Sequence, residues 1–386
     1  MSFLTGYTVL DLASVGPAAR ASRILADFGM RIVKVAPIAA NGAKQTEPVF
    51  HAYGAGRGTR RIRLDLKSDA GREALLCLAE QADVVIESFR PGVAARLGVG
   101  HAQIAARNPR IIYCSTSGYG QDGPCAQWVG HDINYLAMSG FLACSGRDAQ
   151  GRPALPGATA ADSAGGGMHA ALSIVAALLS RERTGEGACL DVSITDGVLN
   201  LMSLYLDQYL ATGEETRPGS GVLTGKYAWY GVYETADGMH VSVGAIEAHF
   251  FRNLCRLLDL EAFADSQYDD ARQNEMRAAF TECFRTRSRD EWVELLAGAD
   301  TCVAPVLTIA EVSAHPQFRE RSAFMSARHP QRGPFEQLAP VLAGCERRQP
   351  EHLVAPAGTT NTAAVLAEAG FPAAQIAELR AAGCIE

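Results

Sequence analysis

The sequence predicts an α/β fold, with a large parallel-sheet domain and a smaller α+β domain. Three observations predict it. The first 120 residues alternate strand and helix signals, the pattern of successive βαβ units. The chain has 386 residues, of which 48% are hydrophobic and 20% charged, enough apolar material for a large core and for more than one domain. After residue 225 the pattern changes, and two short strands join across Ala-Asp-Gly at 236–238, a hairpin signal.

The elements follow in order. Thr8–Leu12 is a short apolar strand, and Pro17–Phe28 has helical spacing through Ala18, Ile24, Leu25 and Phe28, with Gly29 placed to end it. Arg31–Val35 returns as a strand. A second unit runs through Arg61–Leu66, a helix capped by Ser68 and reaching Gln81, and the strand Val84–Ile86. Ile111–Ser115 adds another strand. Ala164–Leu179, rich in Gly and Ala and then apolar, reads as one long buried helix in which Gly165, Gly166 and Gly167 let another backbone come close. Cys189–Ile194 is a strand, Thr195 to about Leu210 a helix, and the polar glycine-rich stretch Gly213–Gly225 a linker. Beyond it come strands Ala228–Glu234 and His240–Val243, helical stretches from Ala248 to Leu296, the strand Cys302–Leu307 and a short helix capped by Thr308. Arg319–Arg348 reads as irregular and basic, and helices return at Thr362–Ala369 and Pro372–Ala382.

Charge and cysteine content narrow the function classes. The 35 Lys and Arg against 42 Asp and Glu leave a net charge of −7, which disfavours a nucleic-acid coat protein. No run approaches the ~18 consecutive apolar residues of a membrane span. A basic n-region followed by an apolar h-region is absent from the N-terminus, so the expectation is a cytoplasmic protein without a membrane partner. The ten cysteines include no C-x-x-C pair, and reduced thiols without a metal site are expected.

Several motifs carry chemical possibilities. Gly118-Tyr-Gly-Gln-Asp-Gly123 matches G-x-G-x-x-G after a strand, but Pro124 follows and no helix opens on the last glycine, so a glycine-rich turn is favoured over a nicotinamide site. Arg57, Arg60, Arg61 and Arg63 are either a solvated edge-strand charge set or a phosphate site. Arg90 and Arg96 lie just past a strand end, where open α/β sheets bind ligands. His131 and Asp132 stand at a helix start, Asp162 opens the glycine-rich helix, and Glu247 follows a strand. Each is, taken singly, a helix cap or surface residue.

In combination, these segments resemble the family III coenzyme A transferases, the group that also contains α-methylacyl-CoA racemase. The resemblance covers nearly the whole chain. It rests on the opening strand-Gly-Pro-helix with Ala-Asp-Phe-Gly, on Leu64-Asp65-Leu66-Lys67, on Phe89-Arg90-Pro-Gly, on the Gly-Tyr-Gly-Gln-Asp-Gly-Pro turn and on the C-terminal Leu-Arg-Ala-Ala-Gly-Cys-Ile. Gly130-His131-Asp132-Ile133-Asn134-Tyr135 resembles the racemase signature, and Asp162 in Ala-Asp-Ser-Ala-Gly-Gly-Gly resembles the aspartate used throughout the family.

The resemblance implies that Asp162 is a nucleophile in a transferase and one half of an acid/base pair with His131 in a racemase, with Glu247 orienting His131. It implies a CoA thioester substrate held by Leu64, Asp65, Leu66, Lys67, Ser88, Phe89, Arg90, Arg96, Gly130, Asp132, Ile133, Asn134 and Tyr135, with no prosthetic group. A Rossmann-like large domain of residues 1–215 and 331–386, a linker at 216–225, a small domain at 226–330 and an interlocked homodimer are further implications. The expected function is inversion of the α-carbon of 2-methylacyl-CoA thioesters, with CoA transfer between carboxylic acids as the alternative. One departure is Ala36, where family members usually carry Glu or Arg, which removes an expected phosphate contact. The segment Ile38–Phe50, expected to border the acyl or nucleotide pocket, is also atypical.

Overall fold

The computed structural model describes residues 2–13, 16–38, 56–356 and 358–386. Most of the atypical segment 38–50 therefore lies outside the described residues. The chain divides into two compact units, one of residues 1–139, 156–203 and 316–386, the other of residues 140–155 and 204–315.

The first unit is built on six parallel strands: β1 (Thr8–Asp11), β2 (Arg31–Ala36), β3 (Thr59–Arg63), β4 (Val84–Glu87), β5 (Ile112–Ser117) and β6 (Ala188–Ser193). Their order is β3-β2-β1-β4-β5-β6, and every neighbouring pair is parallel. Successive side chains of a strand point to opposite faces. Val9, Ile32, Val84 and Ile112 accordingly join one core with Ala18, Leu25, Ile174 and Leu178. Leu10, Val33, Val85 and Tyr113 join the other with Leu75, Leu78, Ile104, Leu366 and Leu379. Helices Gly16–Asp27 and His169–Thr184 thus cover one face, and helices Asp69–Glu80, His101–Arg107, Thr362–Glu368 and Ala373–Ala381 the other.

Local signals place these elements. The Ser68 side chain accepts the Gly71 N–H at 3.0 Å and starts helix Asp69–Glu80. At the end of β1, the fully buried Asp11 accepts from Lys34 Nζ at 2.8 Å, the Ser22 hydroxyl at 2.6 Å and the Ala13 N–H at 2.8 Å. This fixes where the chain leaves the sheet toward helix Gly16–Asp27.

Two expectations are corrected. The glycine-rich helix is not buried all round: Leu172 is 71% and Leu179 61% exposed, on the side away from Ala170, Ile174 and Leu178. Its first part, Ala161–Met168, is a π-helical segment that runs into the α-helix His169–Thr184. Together they form 24 helical residues that by length and composition alone are sufficient to span a membrane. Arg319–Arg348, expected to be irregular, contains an antiparallel hairpin of β10 (Phe324–His329) and β11 (Gly333–Leu338), in which Met325 and Ala327 alternate inward.

The second unit holds the antiparallel strands β7 (Tyr230–Glu234), β8 (His240–Gly244) and β9 (Val303–Pro305). Gly238, at φ +73°, makes the β7–β8 turn. The core is aromatic, with Trp229, Phe251, Phe280 and Phe284 fully buried. Residues 204–212, a helical stretch broken from Ile194–Leu201 at Met202, group with this unit.

Candidate active site

Strand order reverses between β1 and β4, and open parallel sheets bind ligands at the carboxyl ends of strands where that happens. A cleft of about 670 Å³ lies there. Gly16 and Pro17 after β1, Ser88–Pro91 after β4 and Thr116–Gly118 at the end of β5 form its floor. Ala126, Trp128–His131, Asn134, Tyr135, Asp162 and Ile194 complete the wall.

His131 and Asp162 therefore face one cavity, although 30 residues separate them. His131 is exposed and precedes helix Asp132–Met138, and its backbone N–H is taken by the Asn134 side-chain oxygen at 3.0 Å. Asp162 is half-buried on the π-helical segment. Burial chiefly, and then the charge of Asp132, hold its carboxyl above the usual carboxylate range, while Arg20 and His131 pull it down. The π-helical segment sits close because glycines admit its neighbours. A Cβ on Gly165 would meet the Ile194 carbonyl oxygen at 2.9 Å, and one on Gly166 would meet Pro17 Cβ at 2.5 Å.

The aromatic wall is built on the turn after β5. The Tyr135 hydroxyl donates to the Gly130 carbonyl at 2.6 Å, and burial followed by the Asp162 charge pushes it up to about 12. Tyr119 packs edge-on to both Tyr135 and Trp128, at 5.3 and 5.9 Å between ring centroids. Gly118 is a glycine for a reason of space, since its Cβ would lie 2.5 Å from Tyr135 Cε1. No helix opens on Gly123, in keeping with a glycine-rich turn. Under the Ser88–Arg90 loop, the buried Glu87 carboxylate accepts the Phe89 N–H at 2.6 Å; burial pushes this acid up against the hydrogen bonds that favour its ionised form.

Of the residues expected to hold a coenzyme, Ser88, Phe89, Arg90, Gly130, Asn134 and Tyr135 line the same cleft as His131 and Asp162. Asp132 and Ile133 follow His131 on the helix, and Arg96 ends the short helix Val93–Arg96. Leu64 is fully buried, with Leu66 packed against the same core, and neither lines the cleft. The Asp65 side chain folds onto the Lys67 N–H at 3.0 Å. Glu247 belongs to the second unit, exposed at the start of helix Ala248–Leu257; burial chiefly, and then the Glu247 charge, push up the Cys302 thiol.

Within the arginine cluster, Arg60 and Arg63 lie on β3, an edge of the sheet, and pair with Glu368 and Glu386, while Arg57 precedes the strand, is buried and pairs with Asp27. Trp128, Val129, Pro17 and Ile194 also line the cleft and escaped sequence reasoning. For Trp128 and Val129 the local signal was a Trp-Val pair just before Gly130.

Residues 4–362 match CoA-transferase family III. The chain is 36% identical to alpha-methylacyl-CoA racemase of Homo sapiens, over 99% of this chain and 97% of that one. It is 31% identical to acetyl-CoA:oxalate CoA-transferase of Acetobacter aceti, over 83% of this chain and 85% of that one. The crystal structure of a CAIB/BAIF family protein from Brucella suis superposes with a TM-score of 0.72 at 26% identity, covering 84% of this chain and 89% of that one.

Proposed function

This chain belongs to CoA-transferase family III, and on that premise we propose that it is a racemase that inverts the α-carbon of 2-methylacyl-CoA thioesters. The observation that carries the reading is that His131 and Asp162 line one cleft at the sheet's reversal point. A thioester carbonyl acidifies the α-hydrogen only weakly. Inversion requires one group to take that proton from one face and a second group to return a proton to the other, and positioned acid–base groups each contribute ~10²–10⁴-fold. In one direction neutral His131 is the base and protonated Asp162 the acid; in the other, ionised Asp162 is the base and the imidazolium the acid. Between the two transfers the negative charge rests on the thioester oxygen as an enolate.

The direction in which burial and the Asp132 charge move Asp162 suits a group that must serve as acid in one direction and as base in the other. The sequence relation to a racemase over 99% of the chain supports the same choice, and the transferase relative keeps the alternative in view. The enolate oxygen requires hydrogen-bond donors, and at the amino end of the glycine-rich segment two backbone N–H groups are already engaged. The Asp162 N–H is bonded to Asp132 at 2.8 Å and the Ser163 N–H to the Thr159 carbonyl at 2.9 Å.

The CoA moiety would run along the Ser88–Arg90 loop, which lines the same cleft as His131 and Asp162. The exposed Leu172 and Leu179 support a homodimer that covers them. The test is incubation of a single-epimer 2-methylacyl-CoA in heavy water. Epimerisation with α-deuterium uptake is expected; CoA transfer to a second acid, with a hydroxylamine-trappable species on Asp162 and no deuterium uptake, would replace the reading.

A further inference from the structure

We infer that Asp132 is a positioning residue for the group at 162: its side chain clamps the backbone of Asp162 and thereby holds that carboxyl toward the cleft beside His131. The inference deepens the proposed reading, because it concerns how one acid/base group is set.

The geometry is a single long-range tether. Asp132 Oδ1 accepts the backbone N–H of Asp162 at 2.8 Å, across 30 residues of sequence. Asp132 also follows His131 directly and opens helix Asp132–Met138. One residue thus joins the histidine segment to the π-helical segment, and a shift of either is felt by the other. The first turn of a helix leaves N–H groups without intrahelical partners, and here a distant carboxylate supplies one. A carboxylate accepting a backbone N–H makes a charge-assisted bond, stronger than the neutral one an amide would make.

The same side chain sets the charge around Asp162. The groups facing that carboxyl are Asp132, His131 and Tyr135 from the 131–138 segment and Arg20 from helix Gly16–Asp27. Arg20 is itself anchored, its Nη2 donating to Thr159 Oγ1 at 2.7 Å. Asp132 is the one anion among them besides Asp162 and opposes its ionisation, while Arg20 and His131 favour it. Asp132 therefore has two separable effects, a tether and a charge. Sequence reasoning assigned it to the coenzyme, but its Oδ1 is turned to the Asp162 backbone.

The two effects separate in two variants, followed in the full-length protein. Asp132→Asn keeps an oxygen acceptor and removes the charge, so the Asp162 carboxyl, read by ¹³C NMR and assigned with Asp162→Asn, should titrate at lower pH than in the wild type. The acidic limb of the α-exchange pH profile should move the same way. Asp132→Ala removes the tether as well, and kcat for exchange should fall by about tenfold or more with KM for the thioester changed far less, since misplacement by ~1 Å can cost 10²-fold. An unmoved carboxyl titration in Asp132→Asn, or a rise in KM without a loss of kcat in Asp132→Ala, would overturn the inference and return Asp132 to coenzyme binding. The NMR titration reads the grip of Asp132 on Asp162 whichever reaction the cleft performs. Wild-type α-exchange reads the reaction itself, so the two failures are distinguishable.

Discussion

The tight approach of Gly197 to Gly165 in the first unit offers a sharp perturbation. Gly197, on helix Ile194–Leu201, lies so near the π-helical segment that an added Cβ would sit 1.9 Å from the Gly165 carbonyl oxygen and 2.5 Å from its carbonyl carbon. Ordinary carbon–oxygen contacts begin at ~3.3 Å, so Gly197→Ala must push the segments apart by ~1.4 Å. The obstacle is backbone, which cannot swing aside as a side chain would. Overpacking of this kind costs ~1–3 kcal/mol, and the absence of a flexible partner puts this case at about 3. At ~2–4 °C per kcal/mol for a domain of some two hundred residues, Tm should drop by roughly 6–12 °C. Asp162 lies three residues before Gly165 on the same segment, so a displacement above 1 Å should also lower α-exchange by ~10²-fold. Scanning calorimetry and a deuterium-uptake assay measure the two effects. Gly157→Ala, whose Cβ would meet nothing within 4 Å, is the control. A Gly197→Ala protein with the control's Tm and undiminished exchange would refute the argument that this contact sets the position of Asp162.

Two further perturbations probe the frame. Lys34→Met strands the fully buried Asp11 without its countercharge, and chemical denaturation should show a loss of ~3–5 kcal/mol; a loss below ~1 kcal/mol would contradict the account of β1's exit. In the second unit, the Arg289 guanidinium and the Thr308 cap hold Glu311 down to about 2. Its folded value lies below its unfolded one, so its contribution to stability is full above the ordinary carboxylate range and is lost as pH falls toward 2. Glu311→Gln should therefore lower Tm at neutral pH, with the deficit shrinking progressively below about pH 4.5; a deficit independent of pH would mean that the charge is not the cause.

Much of the first unit was legible because its signals are local. Short, nearly continuous apolar runs mark β1, β2 and β4, Ser68 caps one helix, and Gly29 ends another. The hairpin at 324–338 was hidden because only Met325 and Ala327 mark its inner face, among arginines and serines. The π-helical segment 161–168 packs closely through Gly165, Gly166 and Gly197, which no single-helix pattern reveals. At the site, His131 and Asp162 were nameable from the motifs that contain them. The clamp between Asp132 and Asp162, the edge-on stack of Tyr119 on Tyr135 and the part of Arg20 were not, because each joins segments that only the folded sheet brings together.

The account's central claim is that one α-carbon is approached from opposite faces by His131 and Asp162. The direct measurement is α-deuterium uptake, in heavy water, by each separate epimer of a 2-methylacyl-CoA with His131→Ala and with Asp162→Asn. The account predicts that neither variant interconverts the epimers, and that each still exchanges only the epimer whose hydrogen faces its surviving base, so that the two variants retain opposite epimers. Interconversion that survives in His131→Ala, or the same epimer exchanged by both variants, would contradict it.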